Sequence, residues 1–107
     1  MFDGFYQARF ETPDGNDLGV ITLAEGKKLY GGNNEFLYLG TYERKGDNFI
    51  ADVEVKPLFV QFSGRARKYV RKIKMIGRGG FQNIMCVCES SDSPGVKIKA
   101  VLERVII

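Results

Sequence analysis

Two cysteines, Cys86 and Cys88, stand one residue apart. On a β-strand that spacing puts both thiols on one face, with Cβ atoms roughly 7 Å apart. A disulfide needs about 3.5–4.5 Å, so the two are not expected to bridge each other. Reduced, packed thiols are the expectation; redox sensing or a dimer-linking disulfide are the alternatives. A metal site would want further Cys or His ligands at fitting spacings, and the chain has no third Cys and no His. The lack of His also removes Ser-His-Asp and Cys-His chemistry and the commonest general base near neutral pH. The carboxylates Glu35, Glu43, Asp52 and Glu54 could run glycoside hydrolysis if paired across a cleft. They alternate outward with apolar neighbours, which marks a solvated face instead. Gly77-Arg78-Gly79-Gly80 has the glycine content of a phosphate loop. It lacks a following Gly-Lys-Ser/Thr and an amphipathic helix, so it reads as a mobile hairpin tip. No catalytic residues, no cofactor and no metal are expected.

Charge is unevenly spread. Between Val55 and Cys88 lie eight basic residues and no acid, so the formal charge of +3 is +8 in this third and −5 elsewhere. Such asymmetry can recruit nucleic acid, anionic lipid or an acidic protein. Strand alternation places Lys68, Lys72 and Lys74 on one face, flanked by Arg65, Arg67 and Arg78. These six form the candidate partner-binding patch; a solvated lysine face that discourages edge pairing is the competing reading. Sequence-specific DNA reading is not expected, because no recognition helix or zinc finger is present. An RNA surface would want interleaved aromatics, and only Tyr69 and Phe81 are near.

The elements that would position these groups are strands. Eight are predicted, over residues 2–10, 18–24, 27–31, 35–44, 48–56, 68–76, 81–89 and 96–106, with residues 57–67 left open between strand, short helix and buried loop. Turns fall at Pro13-Asp14-Gly15-Asn16, Glu25-Gly26, Gly31-Gly32-Asn33-Asn34 and Lys45-Gly46-Asp47. The alternation is cleanest over 48–56, with Phe49, Ala51, Val53 and Val55 facing in. No segment carries a sustained 3.6-residue apolar period. The expected fold is all-β: a small up-and-down antiparallel barrel of about eight strands, calycin-like, or a closely related sandwich. Closure would satisfy the edge strands.

An eight-stranded barrel leaves room for side chains or for one small ligand. Tyr6, Phe10, Tyr38, Tyr42, Phe49 and Val53 are the candidate lumen residues. A pocket of about 300 Å³ or more would favour a carrier or sensor of a small apolar ligand, or an enzyme using a carboxylate or Tyr in that lumen. Several strands are apolar on both faces, which points to a protein interface or to residues 57–67 folding over one of these faces. Ile21, Leu37, Leu39, Val101 and Val105 are the candidate dimer face.

At 107 residues the chain is read as one domain, residues 1–107. Met-Phe-Asp-Gly-Phe-Tyr has no basic n-region or apolar h-region, and no apolar run approaches the roughly 18 residues of a membrane span. The expectation is a cytoplasmic protein that does not cross a membrane.

The chain resembles the GrlR family, negative regulators of bacterial type III secretion gene expression. The resemblance rests on Asp3-Gly4-Phe5-Tyr6, Gly19-Val20-Ile21, Gly26-Lys27, Gly31-Gly32-Asn33, Tyr38-Leu39-Gly40-Thr41-Tyr42 and Val53-Glu54-Val55. It covers roughly the first half of the chain. It implies a calycin-like barrel, a homodimer and a non-enzymatic regulator that sequesters a partner protein. One departure concerns the partner contact. That family's acidic loop tetrad corresponds here to Glu43-Arg44-Lys45-Gly46-Asp47-Asn48, which is mixed in charge.

Overall fold

The computed structural model describes residues 4–58, 71–80 and 82–106. Eight strands run in chain order: β1 Gly4–Thr12, β2 Gly15–Ala24, β3 Lys28–Gly32, β4 Phe36–Lys45, β5 Asn48–Pro57, β6 Arg71–Gly79, β7 Asn83–Ser90 and β8 Lys97–Arg104. Each pairs antiparallel with the next, and β1 pairs antiparallel with β8, so the sheet is a closed up-and-down barrel. Closure leaves no strand edge unpaired among these eight.

Alternation builds the interior. Along β5, Phe49, Ala51, Val53 and Val55 are buried while Asn48, Ile50, Asp52 and Glu54 are exposed. On β1 the inward set is Gly4, Tyr6 and Ala8; on β7 it is Ile84, Cys86 and Cys88. One apolar cluster fills the barrel, and no polar or charged residue among those described is fully buried.

The turns follow local chemistry. Pro13 and Asp14 link the Thr12–Gly15 pair, where Thr12 Oγ1 donates to the Gly15 carbonyl at 2.7 Å and accepts from the Asp14 amide at 3.2 Å. Gly46 takes φ 59° between the paired Lys45 and Asn48, the left-handed geometry that tight hairpins require. A 3₁₀ turn, Glu25–Lys27, joins β2 to β3.

The glycine-rich stretch expected as a hairpin tip is mostly strand. Gly77 pairs with Phe49 and Cys86, Gly79 pairs with Ile84, and the Gly79 amide donates to the Asp47 carbonyl at 3.0 Å. The ladder runs on because β5 and β7 both extend far enough to pair with it. The segment 59–70, which includes most of the stretch left open by the sequence, lies outside the described residues.

Candidate functional site

Register decides what the outer wall presents. Lys72 and Lys74 are exposed on β6, as alternation requires. Lys72 stands directly opposite Glu54, and Lys74 stands between Asp52 on β5 and Glu89 on β7. Two lysines therefore meet three carboxylates in a checkerboard, not a basic stripe. Arg78 is exposed further along β6, and its Nε donates to Asn48 Oδ1 at 3.3 Å. Arg65, Arg67 and Lys68 lie outside the described residues. Opposite charges directly across strands stabilise the sheet and lower the field that a partner would feel.

One register step away, the same wall is apolar. Ile50, Ile76 and Val87 sit opposite one another on β5, β6 and β7 and are 43%, 55% and 46% exposed. Met85, 52% exposed, lies one pleat along, opposite Arg78 on one side and half-buried Val101 on the other. Glu43 and Lys99 end the row. A groove of about 780 Å³ runs over Ile50, Ile76, Met85 and Val87. The sequence carried the signal for this row. Ile50 shares the phase of Asp52 and Glu54, and Ile76 that of Lys72 and Lys74. Their alignment across three strands needed the register.

The expected dimer face does not form as a unit. Ile21 is 1% exposed and belongs to the core, because the inward phase of β2 falls on Ile21 and Leu23 while Leu18 and Val20 face out. Leu37 and Leu39 lie on β4, whereas Val101 lies on β8 and Val105 just beyond it. Three strands lie between β4 and β8 in either direction around the barrel, so the two pairs occupy opposite walls. Leu39 instead pairs with exposed Tyr30 on β3, and Leu37 and exposed Val20 flank Gly32.

All six candidate lumen residues face the interior: Tyr6, Tyr38, Tyr42, Phe49 and Val53 are buried, and half-buried Phe10 packs against the core. They split into two halves. Toward one end Tyr42 stacks on Phe49 with ring centroids 6.0 Å apart, and Ile84 and Leu102 close the space. At that end Arg44 and Arg104 also turn inward. Both guanidiniums donate to the Tyr6 hydroxyl, at 3.5 and 3.2 Å, and Arg44 donates to the Gly80 carbonyl at 2.9 Å. These inward arginines were missed in the sequence, although Arg44 is in phase with Tyr38 and Tyr42, and Arg104 with Ala100 and Leu102.

The other half keeps a cavity of about 120 Å³ reached by Phe10, Tyr38 and Val53. That is well below the roughly 300 Å³ expected of a drug-sized ligand site. Cys86 and Cys88 are free, buried and on the same inward face. Burial pushes both thiols up to about 12, with the neighbouring Cys88 adding to the effect at Cys86. Thiols held neutral in this way are poor nucleophiles and poor metal ligands. No group of three or more His, Cys, Asp or Glu suited to a metal occurs among the described residues, and none of their helices is long and apolar enough to cross a membrane.

The molecule is thus a closed eight-stranded antiparallel barrel with a largely filled interior and two apolar strips on its outer wall. The chain matches no model of a known protein family and no curated protein.

Proposed function

We propose that this barrel is a non-enzymatic regulatory protein that sequesters a partner protein against its outer β5–β6–β7 wall. The observation that carries the reading is the unbroken Ile50–Ile76–Val87 row, exposed at the centre of three paired strands. Contiguous exposed apolar surface rimmed by polar groups marks an interaction site. Here the rim is Glu43, Lys45, Arg78 and Lys99, which fits a partner whose own apolar strip is bordered by both charge signs. The resemblance to the GrlR-type regulators, in a cytoplasmic setting, points the same way. The second strip, Tyr30 and Leu39 with Val20 and Leu37, is the proposed homodimer contact. It is centred on β3, three strands from β6, so dimer and partner can be held together.

Ile76→Glu tests the partner wall. Burying the exposed half of an isoleucine contributes about 1 kcal/mol, and desolvating a carboxylate in its place costs several more. Partner affinity should fall by about 100-fold or more, at roughly 1.4 kcal/mol per decade. Ile76 is 55% exposed, so the free barrel should lose no more than about 1 kcal/mol of stability. Gln7→Lys, on exposed β1 surface away from this wall, should bind as wild type. Recovery of the same polypeptide from host extract by wild type and by Ile76→Glu, in equal yield, would remove the proposal.

A further inference from the structure

The cavity of about 120 Å³ lies at the end of the barrel where the β1–β2 and β3–β4 turns meet. Its floor is apolar: Ile21, Val53, Met75 and Cys88. Its rim carries Asp17, Asn33 and Arg71, with the Arg71 guanidinium 5.4 Å from the centroid of the Phe36 ring. Tyr38 joins rim to floor.

The hydrogen bonds around Tyr38 fix what it offers. Asn33 Oδ1 accepts from the backbone amides of Glu35 and Phe36, both at 2.8 Å. Those two bonds set the orientation of the Asn33 amide, so its Nδ2 must be the group 3.1 Å from the Tyr38 hydroxyl. The hydroxyl accepts there. Its own O–H meets no acceptor among the described residues, and Tyr38 lines the cavity, so the donor is available to a guest there. Burial raises the Tyr38 pKa first, with Asp17 adding to it and Arg71 opposing, so the phenol stays a neutral donor. Asp17 and Arg71 carry opposite charges at the rim, which favours a neutral head group over an anion.

We propose that this cavity binds a small neutral molecule with one hydrogen-bond-accepting oxygen, a ketone or ester of roughly six or seven heavy atoms, its oxygen on the Tyr38 hydroxyl and its hydrocarbon against Ile21, Val53 and Met75. An enclosed apolar cavity of about 150 Å³ takes benzene, six heavy atoms; this one is smaller but open at its rim, so a six-membered ring fits with its oxygen at the rim beside Tyr38. The site is inside the barrel and independent of the outer wall, so the two proposals fail separately.

Cyclohexanone is the probe, with toluene as the partner lacking an acceptor, each titrated while methyl resonances of Ile21, Val53 and Met75 are followed by NMR. Saturable millimolar shifts confined to these methyls are expected with both probes. Tyr38→Phe should weaken cyclohexanone about fivefold, the loss of one hydrogen bond, and leave toluene unchanged. Val53→Phe should fill the space and abolish both; Cys88→Met fills it from another strand if the first variant does not fold. Shifts that do not saturate, shifts at surface residues only, or equal cyclohexanone affinity in wild type and Tyr38→Phe would overturn the proposal.

Discussion

The two buried thiols give the barrel a stability that alkali should remove. Cys86 faces Gly77 and Ala100, Cys88 faces Met75 and Ile98, and the two are 2% and 3% exposed. Ionising either one in place would put a thiolate in the apolar interior. Folding therefore raises each thiol from an ordinary 9.0 to about 12. Below pH 9 both states hold their protons, and the contribution is complete. Between pH 9 and 12 the unfolded chain has lost protons that the folded chain keeps, so stability falls as pH rises. The slope is about 1.4 kcal/mol per pH unit for each thiol. From pH 9, where the unfolded thiols are half ionised, to 10.5 the pair should cost about 3 kcal/mol, a large share of the 5–15 kcal/mol typical of a domain. The assay is urea unfolding at pH 8, 9, 10 and 10.5, for wild type and for Cys86→Ala/Cys88→Ala. Other titrating groups are common to both proteins and cancel in the difference. Wild type should lead at pH 8, because alanine packs the interior less well, and the lead should shrink and reverse as pH rises. A difference between the two curves that stays constant across this range would refute the reasoning.

Two further outcomes follow from packing and register. Gly40→Ala should cost about 3 kcal/mol, because a Cβ there would stand 2.9 Å from the Val53 Cα and against the Asp52 carbonyl; thermal unfolding should show a fall of roughly 10–20 °C. Lys72→Glu with Lys74→Glu would set five carboxylates together with Asp52, Glu54 and Glu89. A loss of about 1–2 kcal/mol at low salt is expected, reduced at high salt, whereas the double Gln variant should lose less.

Much of the fold is legible because alternation is clean on β1, β5 and β7. Residues 48–56 announce their inward face, and Gly46 announces its turn. The strand assignments err where glycine reads as punctuation: Gly77 is paired on both sides and Gly79 with Ile84, and only the flanking ladders reveal that. The site was less legible for a related reason. A face is a local property of one strand, but a surface is made by neighbours. Lys72 and Lys74 look like the start of a basic stripe until Glu54, Asp52 and Glu89 are set beside them. Ile50, Ile76 and Val87 look like scattered apolar residues until register aligns them. Ile21 was misassigned because β2 is apolar on both faces, so pattern alone could not say which side faced the core.

The central claim, that the barrel works by holding a protein on its outer wall, is tested most directly by native mass spectrometry of the chain recovered gently from its own host's extract. A homodimer carrying a second polypeptide in stoichiometric amount is expected. A chain recovered without any polypeptide partner, or with only a bound species of a few hundred daltons, would contradict it.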